Sequence, residues 1–67
     1  MPTSAQWQAA VAWALTQTYT NPEGDGQSHP ITVATPQPLV DAVRQYFNTN
    51  SIAYQTFSFA TLQPYVA

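Results

Sequence analysis

The chain carries very little charge, and this shortage excludes more functions than any motif suggests. It has no lysine, and its one arginine, Arg44, stands against three acids, Glu23, Asp25 and Asp41. Nucleic-acid binding needs several Lys or Arg side chains that release counterions from phosphates, and membrane docking of a helix needs a basic face. A mimic of DNA would need many more carboxylates. We therefore expect no nucleic-acid partner and no membrane partner.

Cysteine is absent, which excludes a disulfide staple and any zinc site built on thiolates. The longest uninterrupted apolar run, residues 9–15, has seven residues, far fewer than the ~20 that cross a bilayer. No basic residue precedes an apolar stretch at the N-terminus, so no signal peptide is predicted. These features favour a soluble protein made in the cytoplasm.

Uncharged polar residues are abundant in this chain, in place of charged ones. Gln, Thr, Ser and Asn make up 24 residues, and the hydrophobic share is 45%. A chain this short forms one domain, 1–67, and buries only about 60% of its unfolded surface, so its own core is marginal. Because neither a disulfide nor a Cys-based zinc site can help, good helix packing or association with a partner is the usual remedy.

The first helix is predicted from its cap and its periodicity. Thr3 and Gln6 have the spacing of a capping box, and an Ala-rich segment follows to about Thr18. The apolar positions that share one helical face are Trp7, Ala10, Val11, Ala14, Leu15 and Tyr19. Trp13 lies outside that arc, so it is exposed unless a second element covers it.

The middle of the chain predicts a loop, a strand and a second helix. Residues 19–30 hold both glycines and several other turn formers, which is typical of a Gly/Pro-rich loop. Residues 31–35 predict a short strand. Thr35 and Pro36 supply an N-cap and the proline preferred at the first helical position. Residues 39–48 are amphipathic, with Asp41 and Arg44 predicted as a solvated pair on the polar face; the apolar face holds Leu39, Val40, Val43, Tyr46 and Phe47.

The last third of the chain predicts a second strand over residues 51–59. Its apolar residues change parity midway, which indicates either a bulge or a strand covered on both faces. The apolar C-terminal tail, 60–67, is predicted as a third short strand or a docking arm. The segment 51–59 has no charge and no proline to protect an edge.

The predicted fold class is α+β, or a small α/β fold, in the order helix, strand, helix, strand. A third short C-terminal strand would make the sheet three-stranded instead of two-stranded, and two helices would cover it. The strand, helix, strand unit predicts parallel pairing through a right-handed crossover. The unprotected edge of 51–59 is what we expect if a strand from a partner completes the sheet.

One loop matches the opening of a calcium-binding EF-hand. Asn21, Glu23, Asp25 and Gly26 have the spacing of its first three ligands and its glycine. The twelfth position, which needs a bidentate Glu, holds Thr32. An ordinary turn is therefore the favoured interpretation, and ion binding by this loop stays an open alternative.

No residues are arranged for catalysis. His29 is the only histidine, and adjacent Ser28 is a poor nucleophile for it because neighbouring side chains rarely face each other. The chain has no phosphate-binding glycine loop and no G-x-S-x-G motif. We predict that the protein is not an enzyme and that it has no cofactor and no metal site. A minimal hydrolase or metal protein centred on His29 and Asp25 is the remote alternative.

Nine aromatic residues are more than a core of this size easily encloses. Interfaces between proteins enrich Trp and Tyr and deplete Lys, Glu and Asp at their centres, which is the bias of this chain. The residues predicted to contact a partner are Trp13, Tyr54, Phe57 and Tyr65.

Two hypotheses about function follow. The first is a non-catalytic structural or accessory protein that binds a larger protein assembly through an open strand edge and an uncharged aromatic patch. It predicts a homo-oligomer or a bound subunit, and a small component of a viral particle would fit. The alternative is a small soluble inhibitor or adaptor, of the kind phages encode, that blocks an enzyme or effector by protein contact. Stoichiometry distinguishes the two.

Overall fold

The described part of the protein is an α+β fold of three helices and a two-stranded antiparallel sheet, which confirms the predicted class. The computed structural model describes residues 1–66. The elements are α1 (Ser4–Ala14), β1 (Thr18–Thr20), β2 (Ser28–Pro30), α2 (Pro36–Thr49), α3 (Phe59–Leu62) and a 3₁₀ turn (Gln63–Tyr65). Within residues 1–66, no helix has the length and apolar character needed to cross a membrane.

The capping box of α1 is confirmed. Thr3 N–H donates to Gln6 Oε1 at 2.9 Å, and Gln6 N–H donates to Thr3 Oγ1 at 3.2 Å. The helix ends at Ala14, earlier than the predicted Thr18. The hydroxyl of Thr16 donates to the carbonyl of Trp13 at 2.6 Å, and a side chain that bonds its own backbone in this way competes with helical hydrogen bonding.

Helix α2 begins and ends with recognisable signals. Thr35 is its N-cap and Pro36 its first residue, as predicted. At the other end Ser51 has φ +57°, Ile52 N–H donates to Phe47 O at 2.8 Å, and Ser51 N–H donates to Asn48 O at 3.3 Å. This pair of bonds is a Schellman motif, and it reverses the chain so that the next segment runs back over the helices.

The core lies where α1 and α2 pack against each other, with α3 closing one end. Its buried apolar residues are Trp7, Ala10, Val11, Ala14, Ile31, Leu39, Val40, Ala42, Val43, Phe47 and Leu62. Trp7 is its aromatic centre, because its ring meets Phe47 and Phe57 edge-on at 5.0 Å each and stacks on Tyr65 at 5.9 Å. The predicted helical faces are confirmed except at Leu15, which is 37% exposed, and Tyr19, which lies in β1.

The sheet lies in the segment predicted to be a loop, and its strands are antiparallel rather than parallel. β1 and β2 pair with Thr18 opposite Pro30, Tyr19 opposite His29, and Thr20 opposite Ser28. The turn formers do make a turn, since Asn21 O accepts from Gly24 N–H and Gly26 N–H, and Gly26 has φ +69°. The turn is compact enough for the residues on either side of it to pair as a hairpin.

The strand predicted at 31–35 is wrong. Its residues form a turn in which Thr35 Oγ1 accepts from Thr32 N–H and donates to Thr32 O, both at 2.9 Å, and Thr32 Oγ1 accepts from Ala34 N–H at 3.1 Å. Threonine hydroxyls that bond the local backbone in this way offer an alternative to a strand ladder. The prediction rested on β-branched composition, which also suits such a turn.

The strand predicted at 51–59 is also wrong. Residues 52–58 have no regular secondary structure, and Phe59 begins α3. The segment pairs with no strand among residues 1–66. It covers the helical core with the half-buried side chains of Ile52, Tyr54 and Phe57. Its apolar parity change arises because it packs on helices rather than in a sheet.

The C-terminal tail is helical where the structure describes it. Residues 59–65 form α3 and the 3₁₀ turn, with Leu62 buried, so the third strand that was expected over 60–67 does not form in residues 60–66. Ala67, the last residue of that predicted tail, lies outside the described residues.

Candidate partner-binding groove

A groove of about 1000 Å³ lies between the hairpin and the two long helices. One wall is β1 with the residues on either side of it, the other is the first half of α2, and the end of α1 forms the floor. The residues that line it are Trp13, Gln17, Thr18, Tyr19, Thr20, Asn21, Pro22, Glu23, Ile31, Ala34, Thr35, Gln37, Pro38, Asp41, Ala42 and Gln45.

The groove follows only one edge of the hairpin. Residues 17–23 line it without a gap, whereas none of the β2 residues 28–30 does. β1 pairs with β2 on one side and has no second neighbour in the part of the chain that the structure describes, where the sheet has two strands. The unpaired edge of β1 therefore opens into the groove.

The register of the hairpin shows which peptide groups point into the groove. Ile31 N–H donates to Gln17 O at 3.0 Å, so this pair is hydrogen-bonded. Pairs alternate along an antiparallel ladder, which makes Tyr19 and His29 the next hydrogen-bonded pair. The pairs of Thr18 and Thr20 with β2 are the non-bonded ones, so the N–H and C=O of both threonines face away from β2. Two donors and two acceptors are presented on this edge.

The other edge of the hairpin is less suited to pairing. Pro30 lies opposite Thr18 at a non-bonded position, so its nitrogen faces outward and carries no hydrogen. Proline at such a position is a known device for protecting a strand edge. β2 therefore presents one outward donor, Ser28 N–H, where β1 presents two.

The charged groups that line the groove are both acids, Glu23 and Asp41. Asp41 Oδ1 accepts from Gln37 Nε2 at 2.9 Å and from Arg44 Nη1 at 3.2 Å, which confirms the predicted exposed pair. Among residues 1–66, Glu23 makes no side-chain hydrogen bond or ion pair, and Arg44 does not line the groove. The groove is thus mildly acidic. Asp41 has Arg44 and Gln37 as partners, whereas Glu23 has no such partner among residues 1–66.

A side-chain clamp closes the turn of the hairpin. His29 Nε2 lies 2.9 Å from Asp25 Oδ1 and 3.0 Å from Oδ2, and Gln27 N–H donates to the same carboxylate at 2.9 Å. The bond to His29, followed by the bond from Gln27, holds the pKa of Asp25 below its ordinary value. Asp25 and His29 therefore stabilise the hairpin, and the His29 ring also packs on Tyr19 at 5.8 Å.

The contact between Asp25 and His29 is relevant to the alternative of a minimal hydrolase or metal protein centred on these two residues. His29 bonds Asp25, and no hydrogen bond joins it to Ser28 in the described residues. No three His, Cys, Asp or Glu side chains of residues 1–66 are grouped so that they could hold a metal ion. The contacts of Asp25 with His29 and Gln27 close the turn of the hairpin.

Two of the predicted contact residues pack on neighbouring aromatic residues of α2, Trp13 on Tyr46 and Tyr54 on Phe47. Trp13 is half-buried, packs on Tyr46 at a ring distance of 5.8 Å, and lines the groove, so a second element does cover one side of it. Tyr54 packs on Phe47 at 5.5 Å and on Phe57 at 5.8 Å. Trp13 is therefore available to a ligand in the groove, while Tyr54 belongs to the cover of the core.

The other two predicted contact residues cover Trp7. Phe57 meets its ring edge-on and Tyr65 stacks on it. Both are half-buried. The structure thus does not bring Trp13, Tyr54, Phe57 and Tyr65 into one patch: three of them share the aromatic cluster around Trp7 and Phe47, and Trp13 lies in the groove. Their role in binding a partner stays a prediction.

The exposed backbone of Thr18 and Thr20 is the functional feature that sequence reasoning missed. A signal was present, because Thr-Tyr-Thr precedes a turn-forming stretch and Ser-His-Pro follows it, which is a hairpin pattern with a long loop. The density of turn formers concealed the short flanking strands.

Comparison of this chain with protein-family models, with curated proteins and with solved structures finds no significant match.

Proposed function

We propose that the protein is a non-catalytic accessory protein that binds an extended segment of another protein by strand addition along β1. The observation that carries this proposal is the open edge of β1 inside the groove, where Thr18 and Thr20 present unpaired peptide groups. Strand addition obtains its affinity from main-chain hydrogen bonds of this kind and its specificity from neighbouring side-chain pockets.

The shape of the site supports a segment rather than a flat surface. The edge lies in a concavity bounded by α2, and the half-buried rings of Trp13 and Tyr19 line it. An extended peptide can enter such a groove, while a broad convex surface would meet the helix first. The open edge that was expected in 51–59 is thus replaced by a different one, and the proposal no longer depends on that segment.

The experiment is a selection of random peptides displayed on phage, followed by affinity measurement on synthetic copies. Thr20→Pro removes an outward N–H without removing a bond of the hairpin, and we expect it to weaken binding about tenfold or more. The matched control is Ser28→Pro, the residue directly opposite, which alters the other edge and should leave affinity unchanged. Equal loss in both variants, or none in either, would overturn the proposal.

Proline could also strain the strand, so a second variant separates binding from folding. Chemical synthesis of the chain with N-methyl Thr20 deletes the same hydrogen and keeps the threonine side chain. Hydrogen exchange at Tyr19 and His29 reports whether the hairpin pairing survives. Loss of peptide binding with intact hairpin protection supports strand addition.

A second candidate is a soluble adaptor or inhibitor that uses the same groove. It is favoured by the covering of Trp7 and Phe47 by the chain's own aromatic residues, because a lattice subunit such as a virion component would be expected to leave a large apolar area for its neighbours. The stoichiometry of the purified complex distinguishes them: many copies per assembly for the subunit, and a one-to-one complex for the adaptor.

A further inference from the structure

We infer that the segment bound along β1 carries a lysine or arginine just beyond the part that pairs with Thr18 and Thr20, and that this side chain binds Glu23. The inference rests on the proposed function and narrows its partner to a strand-forming segment with a basic residue at the end that lies nearest Glu23. It follows from the order in which residues line the groove and from the charges they carry.

The order of the lining residues sets the position of the basic side chain. Thr18 and Thr20 offer the peptide groups, and Asn21, Pro22 and Glu23 continue the same wall. A strand bonded to Thr18 and Thr20 must therefore pass the turn and reach the neighbourhood of Glu23. A long basic side chain at that point can keep its charged end at the exposed carboxylate while its stem lies along the groove.

The charged residues that line the groove determine which sign of charge a partner's side chain should carry. Glu23 and Asp41 line it and Arg44 does not. Because Arg44 and Gln37 already engage Asp41, the carboxylate left for a partner's cation is Glu23. A segment with an acid at this point would meet like charge and would be rejected more strongly than a neutral one.

The same charges argue against a second copy of the chain as the occupant. A second copy would not bring a basic side chain to Glu23, because the single arginine of each copy already contacts its own Asp41. A partner from a different protein can supply the missing cation.

The test uses peptides from the same phage selection, performed on the wild-type protein with counter-selection on Thr20→Pro. We expect the enriched sequences to share a strand-forming core with Lys or Arg at a fixed distance from one end of it. One such peptide is then synthesised with its basic residue and with Gln at that position. A change in tryptophan fluorescence reports binding of both forms, because Trp13 lies in the groove while the other tryptophan, Trp7, is buried in the core.

A double-mutant cycle with Glu23→Gln isolates the contact. Exposed ion pairs contribute about 0.2–1 kcal/mol, so Glu23→Gln should weaken the basic peptide about two- to fivefold at low salt and should leave the Gln peptide unchanged. Added salt should remove the difference. Asp25→Asn is the matched control, because it deletes a charge from the same turn at a residue that does not line the groove.

The outcomes separate the two proposals. If the selected peptides depend on Thr20 but show no basic residue, or if Glu23→Gln affects both peptides equally, this inference is overturned and the proposed function stands. If no peptide depends on Thr20, the proposed function is itself overturned. If light scattering shows a dimer that Thr20→Pro dissociates, the occupant is a second copy, which also overturns the inference.

Discussion

The helical half of the molecule and the hairpin differ sharply in how they are held. α1, α2 and α3 supply ten of the eleven buried apolar residues, whereas the hairpin region supplies one, Ile31, which directly follows β2. In the hairpin, Thr18, Thr20, Ser28 and Pro30 are all exposed. The difference teaches that the buried apolar contacts lie almost entirely in the helices, away from the hairpin that carries the proposed binding edge. We therefore expect the hairpin to open locally at a lower free energy than the helices, as binding segments usually do.

The largest expected effect comes from the helical half. Phe47 is fully buried and contacts Trp7 at a ring distance of 5.0 Å. Phe47→Ala should cost about 3–5 kcal/mol through lost burial and a cavity, which approaches the whole stability of a small domain. Urea unfolding followed by circular dichroism measures it. Phe47→Leu is the control and should lower the free energy of unfolding less, because it leaves a smaller cavity. Equal losses in both variants would show that stability does not depend on packing at position 47.

A smaller and more local effect is expected from Ile31, the anchor of the hairpin. Ile31→Ala should cost about 2 kcal/mol and should accelerate hydrogen exchange at Tyr19 and His29 far more than in α2. Ile31→Val, which leaves a smaller cavity, should cost about 1 kcal/mol. Equal acceleration in α2 would show that hairpin and helices unfold as one unit, and the proposed separation would fail.

The smallest expected effect on stability is that of lowering the pH, and it acts through Asp25. The bonds of Asp25 to His29 and Gln27 lower its pKa in the folded protein. The contribution of the ionised Asp25 carboxylate to folding stability is therefore complete above the pKa of the unfolded chain and is lost as the pH falls through the pKa of the folded protein. The amide resonance of Gln27 should follow this titration, while the amide resonances of α2 should not. Asp25→Asn keeps the acceptor oxygen and should remove the titration. A Gln27 shift that persists in Asp25→Asn would assign it to another group.

The sequence predicts the helices better than the sheet, for physical reasons. Helix signals are local: Thr3 with Gln6, and Thr35 with Pro36, mark the helix starts on their own. Strand signals need a partner elsewhere in the chain. Residues 51–59 have strand-like composition, yet the Schellman motif at Ser51 directs them onto the helices, where side-chain packing takes the place of a ladder.

The candidate site could be predicted only in part. The exposed pair of Asp41 and Arg44 was predicted correctly, while the expectation that nucleic acid is not a partner, which rests on the scarcity of cations, stays a prediction. Residue types gave a signal for the hairpin but not for its open edge at Thr18 and Thr20, because peptide groups are the same at every position and only the register decides which of them face outward. The aromatic residues were predicted as contacts from their number, without the information that they cover one another.

The position of Pro30 has a consequence for how far any assembly can grow. A hairpin with two equal edges could receive a strand on each side, and such a unit can be linked into an open chain of copies. If the protein binds by strand addition, an edge of β2 that lacks one donor leaves β1 as the favoured edge, so we expect the hairpin to end a sheet instead of extending it. Such a protein would be monovalent, and strand addition to it would stop after one partner.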